Sequence, residues 1–178
     1  GLYSLPYIIE PFIDNTDTYE IKISDKVHWE MVRSNNIIYI GSFKNLRILS
    51  KITEKLGVKY SLKDNVLHYH NWENDSTYQY FYKFSKKKNL DYTFVSLIPG
   101  PKGNAILFII SNHDIGCISA SRFFTNSRQI KKLKEKYFPG HNYFKALFVA
   151  KGMVRTDMTI DLLHVNGIDE KVFQVLWD

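Results

Sequence analysis

The segment AILFIISNHD, residues 105–114, decides the fold. Its first six residues, Ala105–Ile110, are apolar without interruption, which is typical of a short strand buried on both faces of a sheet. Polar residues follow at once, and a helical pattern starts near Cys117 and runs to Phe124. A buried strand that leads through a polar loop into a helix predicts an α/β domain.

A second strand-to-helix unit lies near residue 40. Asn36–Ile40 is a compact apolar run bounded by Asn and Gly, which indicates a buried parallel strand. Apolar residues then recur at helical spacing, and Gly57 follows as a helix terminator. The residues that carry this spacing are Leu46, Leu49, Ile52 and Leu56. The sequence therefore predicts one half of a βαβ unit here.

The rest of the chain supplies further strands and helices. Two strand patterns flank the loop PGPKG, residues 99–103, which predicts an antiparallel hairpin. The predicted strands are Tyr19–Ile23, Val66–His70, Thr77–Phe84, Asp91–Ile98, Asn104–Ile110, Tyr143–Ala150 and Met158–Val165, and the predicted helices include Ser4–Ile13, Val27–Val32 and Ser127–Tyr137. We expect a single α/β domain over residues 1–178. It would be a three-layer, Rossmann-like sandwich whose mixed, mainly parallel sheet includes the hairpin.

Composition narrows the class of protein. The chain has 178 residues, 44% hydrophobic and 24% charged, which is typical of a globular domain. It has one cysteine, Cys117, and no apolar run long enough to cross a bilayer. Its first residues do not show the basic-then-apolar pattern of a leader, so we expect no export. We expect a cytoplasmic protein without membrane contact. Because the chain starts at Gly1 rather than Met, we expect it to be part of a longer protein whose other domains carry the output activity.

The net charge of +6 raises the question of nucleic acid. Positive residues are concentrated in residues 83–88 and on the helix Ser127–Tyr137, where helical spacing predicts that they form a solvated outer face. The tyrosines at 78, 80 and 82 alternate as on one strand face, which suits either base stacking or packing. We favour packing, because alternating aromatic residues pair well across strands. No zinc-finger, homeodomain or RNA-recognition signature accompanies the positive charge.

The candidate site lies at the two strand-to-helix loops. In open α/β sheets ligands bind beyond the carboxyl ends of parallel strands, where helix N-termini favour anions. The first loop offers Ser42, Lys44, Asn45 and Arg47, and the second offers Ser111, Asn112, His113 and Asp114. Local helix capping would use the same residue types, so each loop alone has two interpretations. Two such loops together favour a pocket for a small anionic ligand.

Other chemistries have weaker patterns. Adjacent His113 and Asp114 rarely point the same way in a loop, and Ser111 lies in no Gly-x-Ser-x-Gly elbow, which argues against a catalytic triad. His68 and His70 are spaced for one strand face but have no third ligand at a recognisable spacing, so we expect no metal site. Neither loop matches a phosphate- or dinucleotide-binding motif, and we expect no cofactor.

The order of these segments resembles an uncharacterised bacterial Rossmann-like α/β domain that occurs attached to DNA-binding or tetratricopeptide segments. The resemblance covers about residues 36–149, through IIYIGS, AILF, FFT and YFKALF. Ser42 stands where that family has a second glycine, and Lys44-Asn45 stands where it has Arg-Ser-Asn. The resemblance implies a regulatory or sensing module attached to an output domain.

Three functions remain open at this point. The first is a regulatory or sensing domain, not an enzyme, that binds a small anionic molecule in a bacterial signalling or transcription-regulatory protein. Its partners would be other domains of the same protein, with nucleic acid bound through them. The second is a hydrolase of a nucleotide or sugar phosphate, with Asp114 or His113 as acid or base. The third is an interaction module that binds protein or nucleic acid through residues 72–88.

Overall fold

The computed structural model describes residues 20–85, 89–153, 158–169, 172 and 176–177. Its strands are β1 Ile37–Gly41, β2 Val58–Ser61, β3 Val66–Asn71, β4 Ser76–Phe81, β5 Asn89–Pro99, β6 Ala105–Ile110, β7 Tyr143–Gly152 and β8 Met158–Ile168. Its helices are α1 Trp29–Ser34, α2 Ser50–Lys55, α3 Asp114–Phe124 and α4 Ser127–Tyr137. Short 3-10 turns cover Ser24–Lys26, Phe43–Asn45 and Arg47–Leu49. Within the described ranges, no helix is both long and apolar enough to cross a membrane.

The strands form two sheets. The larger sheet has the order β1-β6-β5-β7-β8, and a smaller antiparallel sheet has the order β2-β3-β4. In the larger sheet β1 pairs with β6 in parallel, and the other three pairings are antiparallel. The predicted mixed sheet is thus confirmed, but its description as mainly parallel is wrong. A central antiparallel strand buried on both faces has the same apolar run as a parallel one, so the pattern alone does not give strand direction.

The predicted hairpin is confirmed as β5 and β6. Their register runs from Phe94 opposite Ile110 to Pro99 opposite Ala105. The loop between them needs Gly103, whose φ of 79° lies in the left-handed region that favours glycine. This hairpin places β5 in the middle of the sheet, between β6 and β7.

Each face of the larger sheet has its own core. On one face, α3 and α4 pack through Ala120 and Leu133 against Val95 and Phe148. On the other face lie α2 and the smaller sheet, whose buried residues include Ile52, Leu67 and Tyr69. The expected three-layer, Rossmann-like arrangement is therefore not confirmed, since a small antiparallel sheet forms much of the second cover.

Lys145 on β7 joins the smaller sheet to the larger one. Its side chain is fully buried, and Nζ donates hydrogen bonds to the carbonyl oxygens of Leu56 at 2.9 Å and His70 at 2.7 Å. The same Nζ lies 3.5 Å from the ring centroid of Trp72 and 5.0 Å from that of Tyr69. Carbonyl oxygens and aromatic faces both stabilise an ammonium group, whereas burial lowers the pKa of Lys145 to about 7.

Two predicted elements near the N-terminus have different outcomes. The predicted strand Tyr19–Ile23 is wrong for its described part, because residues 20–23 form no regular element. The predicted helix Val27–Val32 is confirmed as α1, displaced by two residues at each end. The predicted helix Ser4–Ile13 and the predicted turn at residues 155–157 lie outside the described residues.

Candidate functional site

The two predicted loops lie side by side at one edge of the larger sheet, which we call the carboxyl edge. Because β1 and β6 are parallel neighbours, both strands end there, and the backbone N–H of Ser111 donates to the carbonyl of Gly41 at 3.0 Å. The Ser42 hydroxyl donates to the Asn112 side-chain oxygen at 3.4 Å. This contact links the first loop to the second.

In the first loop the candidate residues serve different contacts. The Ser42 hydroxyl accepts a hydrogen bond from the backbone N–H of Lys44 and so caps the turn Phe43–Asn45. Lys44 and Asn45 are exposed, and Lys44 forms no ion pair with any described residue. Arg47 pairs with Asp25, at 3.0 Å between Nη2 and Oδ1.

In the second loop the polar groups begin α3. Ser111 is buried, and its hydroxyl donates to the backbone oxygen of His113 at 2.7 Å. His113 is the N-cap of α3, and its Nδ1 accepts from the N–H of Ile115 at 3.3 Å. Asp114, which the sequence offers as an N-cap, is instead the first residue of the helix. Local capping therefore uses His113, although its ring is exposed.

A buried carboxylate that sequence reasoning missed lies beneath this helix start. Asp91 on β5 is fully buried, and its Oδ2 accepts from the backbone N–H groups of His113 at 3.1 Å and Gly116 at 3.2 Å. The protein's own carboxylate thus occupies the place where a helix N-terminus would bind an external anion. A single charged residue in an otherwise uncharged strand is the signal in the sequence.

Burial is the main cause of the shift in the pKa of Asp91. Loss of water raises the pKa of its carboxyl group to about 7, and hydrogen bonds from Ser111 and from the backbone of His113, Gly116 and Asn112 oppose that shift. Cys117, one turn into α3, is also buried, and burial raises the pKa of its thiol. The Cys117 side chain is therefore a packed group and not an activated nucleophile.

We expect the free energy of unfolding to fall as pH rises from about 4 to about 7, because of the Asp91 carboxyl group. The folded state keeps a proton that the unfolded state releases in this window, which corresponds to at most about 4 kcal/mol at 1.36 kcal/mol per pKa unit. Asp91→Asn keeps a side-chain oxygen for the two N–H groups but does not titrate, so this part of the slope should disappear. Urea unfolding at several pH values measures it.

The matched control for this prediction is Asp161→Asn, which removes an exposed carboxylate on β8. That variant should keep the slope of the unmodified protein. An Asp91→Asn protein with the same pH dependence as the unmodified protein would show that Asp91 is ionised in the folded state throughout the window.

A chain of aromatic contacts borders the carboxyl edge. Phe43 stacks on Tyr60 with ring centroids 5.8 Å apart, and Tyr60 contacts Tyr82 at the same distance. Tyr82 stacks on Phe84, which stacks in turn on the ring of His113 at 5.0 Å. Phe84 is 46% exposed, so the pair it forms with His113 presents an aromatic surface beside the two loops.

The tyrosines at 78 and 80 on β4, and Tyr82 directly after it, turn inward, which confirms the packing interpretation. The Tyr78 ring lies 4.6 Å from that of His164, and the Tyr80 ring lies 4.8 Å from that of Tyr92. Tyr82 is buried in the core between the sheets. The outward positions of the strand are held by Thr77, Gln79 and Phe81, which are exposed. The strand therefore offers no outward tyrosine platform for bases.

The structure also shows the surroundings of the residues considered for metal binding, catalysis and nucleic-acid binding. In the described part of the chain, no three metal-ligating side chains come together, and His70 contacts Asp75 and Thr77. The Ser111 hydroxyl donates to the backbone oxygen of His113 and contacts the sulfur of Cys117, so its described contacts are structural ones. The basic residues of α4 are exposed, as expected for a solvated face.

Comparison with known proteins identifies no relative of this chain. No protein-family model, curated protein or solved structure matches the chain.

Proposed function

We propose that the chain is a regulatory or sensing module that binds a small anionic molecule at the carboxyl edge. The observation that carries this proposal is the hydrogen bond between Ser42 and Asn112, because it brings the two polar loops into one surface. Lys44 supplies positive charge on that surface, and Asn45 and His113 supply exposed polar groups. Output would come from other domains of the same protein.

Side chains, not the helix end, would hold the anion. Asp91 already accepts from the backbone N–H groups of His113 and Gly116, so a ligand cannot use them without displacing a buried carboxylate. Arg47 belongs to the proposed site because its ion pair with Asp25 is weak, so a bound anion could replace Asp25. Both members of the pair with Asp25 are about 60% exposed, and such pairs contribute roughly 0–1 kcal/mol.

The aromatic pair of Phe84 and His113 favours a ligand with a flat ring. A base or another planar group could extend the stack from the exposed ring of Phe84 while its anionic group contacts Lys44. Nucleotides and aromatic acids are therefore the first ligands to test. Among the described residues of this surface, no nucleophile forms a hydrogen bond with the side chain of a base, so we keep binding and not hydrolysis as the proposal.

A thermal-shift screen against nucleotides, sugar phosphates and small organic acids tests the proposal. A ligand at about 100 times its dissociation constant should add roughly 2.7 kcal/mol to the stability of the protein. Lys44→Ala should weaken binding about tenfold, since a hydrogen bond to a charged group contributes about 1.5–3 kcal/mol. His113→Asn removes the ring but keeps a good N-cap, so a loss of affinity in that variant reports ligand contact and not unfolding.

The control variant is Lys132→Ala, which removes the same charge from the exposed face of α4. It should bind as the unmodified protein does. If every ligand fails to stabilise the protein, or if all ligands that do so are insensitive to both loop variants, the carboxyl edge is not the site.

A further inference from the structure

A separate cavity of about 820 Å³ lies at the edge of the sheet opposite the carboxyl edge. We call it the α4–β8 cleft. It lies between the turn after β3, the segment that follows α4, and the end of β8. The residues that give it chemical character are Trp72, Glu73, Tyr137, Phe138, His141 and Asp169. None of these residues belongs to the two loops of the proposed anion site.

Two carboxylates line this cleft in a chain of positive net charge. The carboxylates are those of Glu73 and Asp169, and the chain carries a net charge of +6. The described lining includes no lysine or arginine, although the ammonium groups of Lys145 and Lys136 lie over its Trp72 and Tyr137 rings. Asp169 lies 3.2 Å from Nδ1 of His141, which orients its carboxylate. Glu73 is exposed and forms no ion pair with a described residue. The Glu73 carboxylate therefore favours a cationic ligand over an anionic one.

Aromatic side chains provide the second feature. Trp72, Tyr137 and Phe138 line the same cavity as the two carboxylates. The fold already uses one of these rings to hold an ammonium group, because Nζ of Lys145 lies 3.5 Å from the Trp72 ring centroid. Tyr137 is 43% exposed, and Nζ of Lys136 lies 4.9 Å from its ring centroid, so an ammonium ligand at this ring would take the place of the exposed Lys136 side chain. Aromatic faces combined with carboxylates are the usual means of binding quaternary and primary ammonium groups.

The base of the cleft is fixed by packing. Asn166 is buried, accepts from the Tyr69 hydroxyl at 3.1 Å and donates to the Asn71 side-chain oxygen at 3.0 Å. The His141 ring lies directly against Gly167, where an added Cβ would come within 2.5 Å of it. A rigid base means that little of the binding free energy is spent on ordering the site.

We propose that the α4–β8 cleft binds an organic cation of the ammonium class. The ammonium group would lie between the carboxylates of Glu73 and Asp169, with its carbon substituents against Tyr137 and Phe138. Both a free amine and the side chain of a lysine in a peptide carry this chemistry. The proposal is independent of the anion site, since the two surfaces lie at opposite edges of the sheet.

Calorimetric titration with choline tests the class of ligand. Choline should bind saturably, and its neutral tert-butyl analogue, which has the same shape without the charge, should bind much more weakly. Tyr137→Ala should weaken choline binding about threefold or more, in line with a cation–π contribution of roughly 0.5–2 kcal/mol. Glu73→Gln should weaken it as well, and added salt should reduce the affinity further.

Asp161→Asn is the control, because it removes an exposed carboxylate that does not line the cleft. It should leave choline binding unchanged. Equal binding of the neutral analogue, or no effect of Glu73→Gln and Tyr137→Ala, would overturn the proposal, as would an absence of binding by every ammonium probe. A second titration, with a short peptide that contains trimethyl-lysine, separates the sources. Tighter binding of the peptide than of choline assigns the cleft to a lysine side chain, and the reverse assigns it to a free amine.

Discussion

Replacement of Lys145 by alanine is expected to destabilise the protein by about 2–5 kcal/mol, because two carbonyl oxygens lose their buried donor and a cavity remains. The substitution leaves the carbonyl oxygens of Leu56 and His70 without their donor and opens a cavity beside Trp72. It therefore removes the contact by which β7 holds both the end of α2 and the end of β3. Urea unfolding measured by circular dichroism gives the difference.

Lys145→Met is the informative companion to this variant. Methionine fills most of the volume and removes the desolvated charge, but it also loses the two hydrogen bonds. We expect it to cost less than alanine. If both variants unfold at the same urea concentration as the unmodified protein, the two sheets are not held together through Lys145.

Gly116→Ala is expected to destabilise the protein by about 3 kcal/mol or more, the range of severe overpacking. A Cβ at this position would lie 2.4 Å from Oγ1 of Thr93 and 2.5 Å from Oδ2 of Asp91. Relief of that contact requires α3 to move away from β5, which breaks the hydrogen bond from the Gly116 N–H to Asp91. Helix propensity alone predicts the opposite sign, a gain of about 1 kcal/mol.

Because the two effects differ in sign, thermal unfolding of this single variant distinguishes them. Ser121→Ala is the matched control within α3, since its buried hydroxyl has no hydrogen-bond partner among the described residues. It should be neutral or slightly stabilising. A Gly116→Ala protein that is as stable as the control would show that α3 does not press on Asp91.

Much of the fold could be predicted because the hydrophobic periodicity of its most regular strands and helices is unambiguous. Ala105–Ile110 and the hairpin that it forms were evident from the apolar run and the Pro/Gly loop, and α4 has the predicted bounds Ser127–Tyr137. Strand direction could not be predicted. β7 is buried over most of its length between two antiparallel neighbours, and nothing in its residues distinguishes this from a parallel environment.

For the candidate site, too, one part could be predicted from the sequence and another could not. The neighbourhood of the two loops followed from the rule that parallel strands end at one edge, and the pairing of β1 with β6 satisfies that rule. The partners of individual side chains did not follow. Asp25 lies 22 positions before Arg47, and Asp91 lies 22 positions before His113, so sequence proximity gives no indication of either contact. Lys145 lies within the apolar run YFKALFV, and a charged residue in such a run indicates a buried group that needs hydrogen-bonding partners.

The parallel pairing of β1 with β6 also has a consequence for the order of folding. β5 and β6 form a hairpin from adjacent segments, whereas β1 must find a partner that begins at Ala105. Closing so long a loop costs chain entropy before the pairing returns any free energy, so we expect β1 to dock late. Ser42 directly follows β1, and its contact with Asn112 forms only when β1 is in place. The carboxyl edge would then be completed in the last step of folding, and a ligand bound there would stabilise only chains that have finished folding.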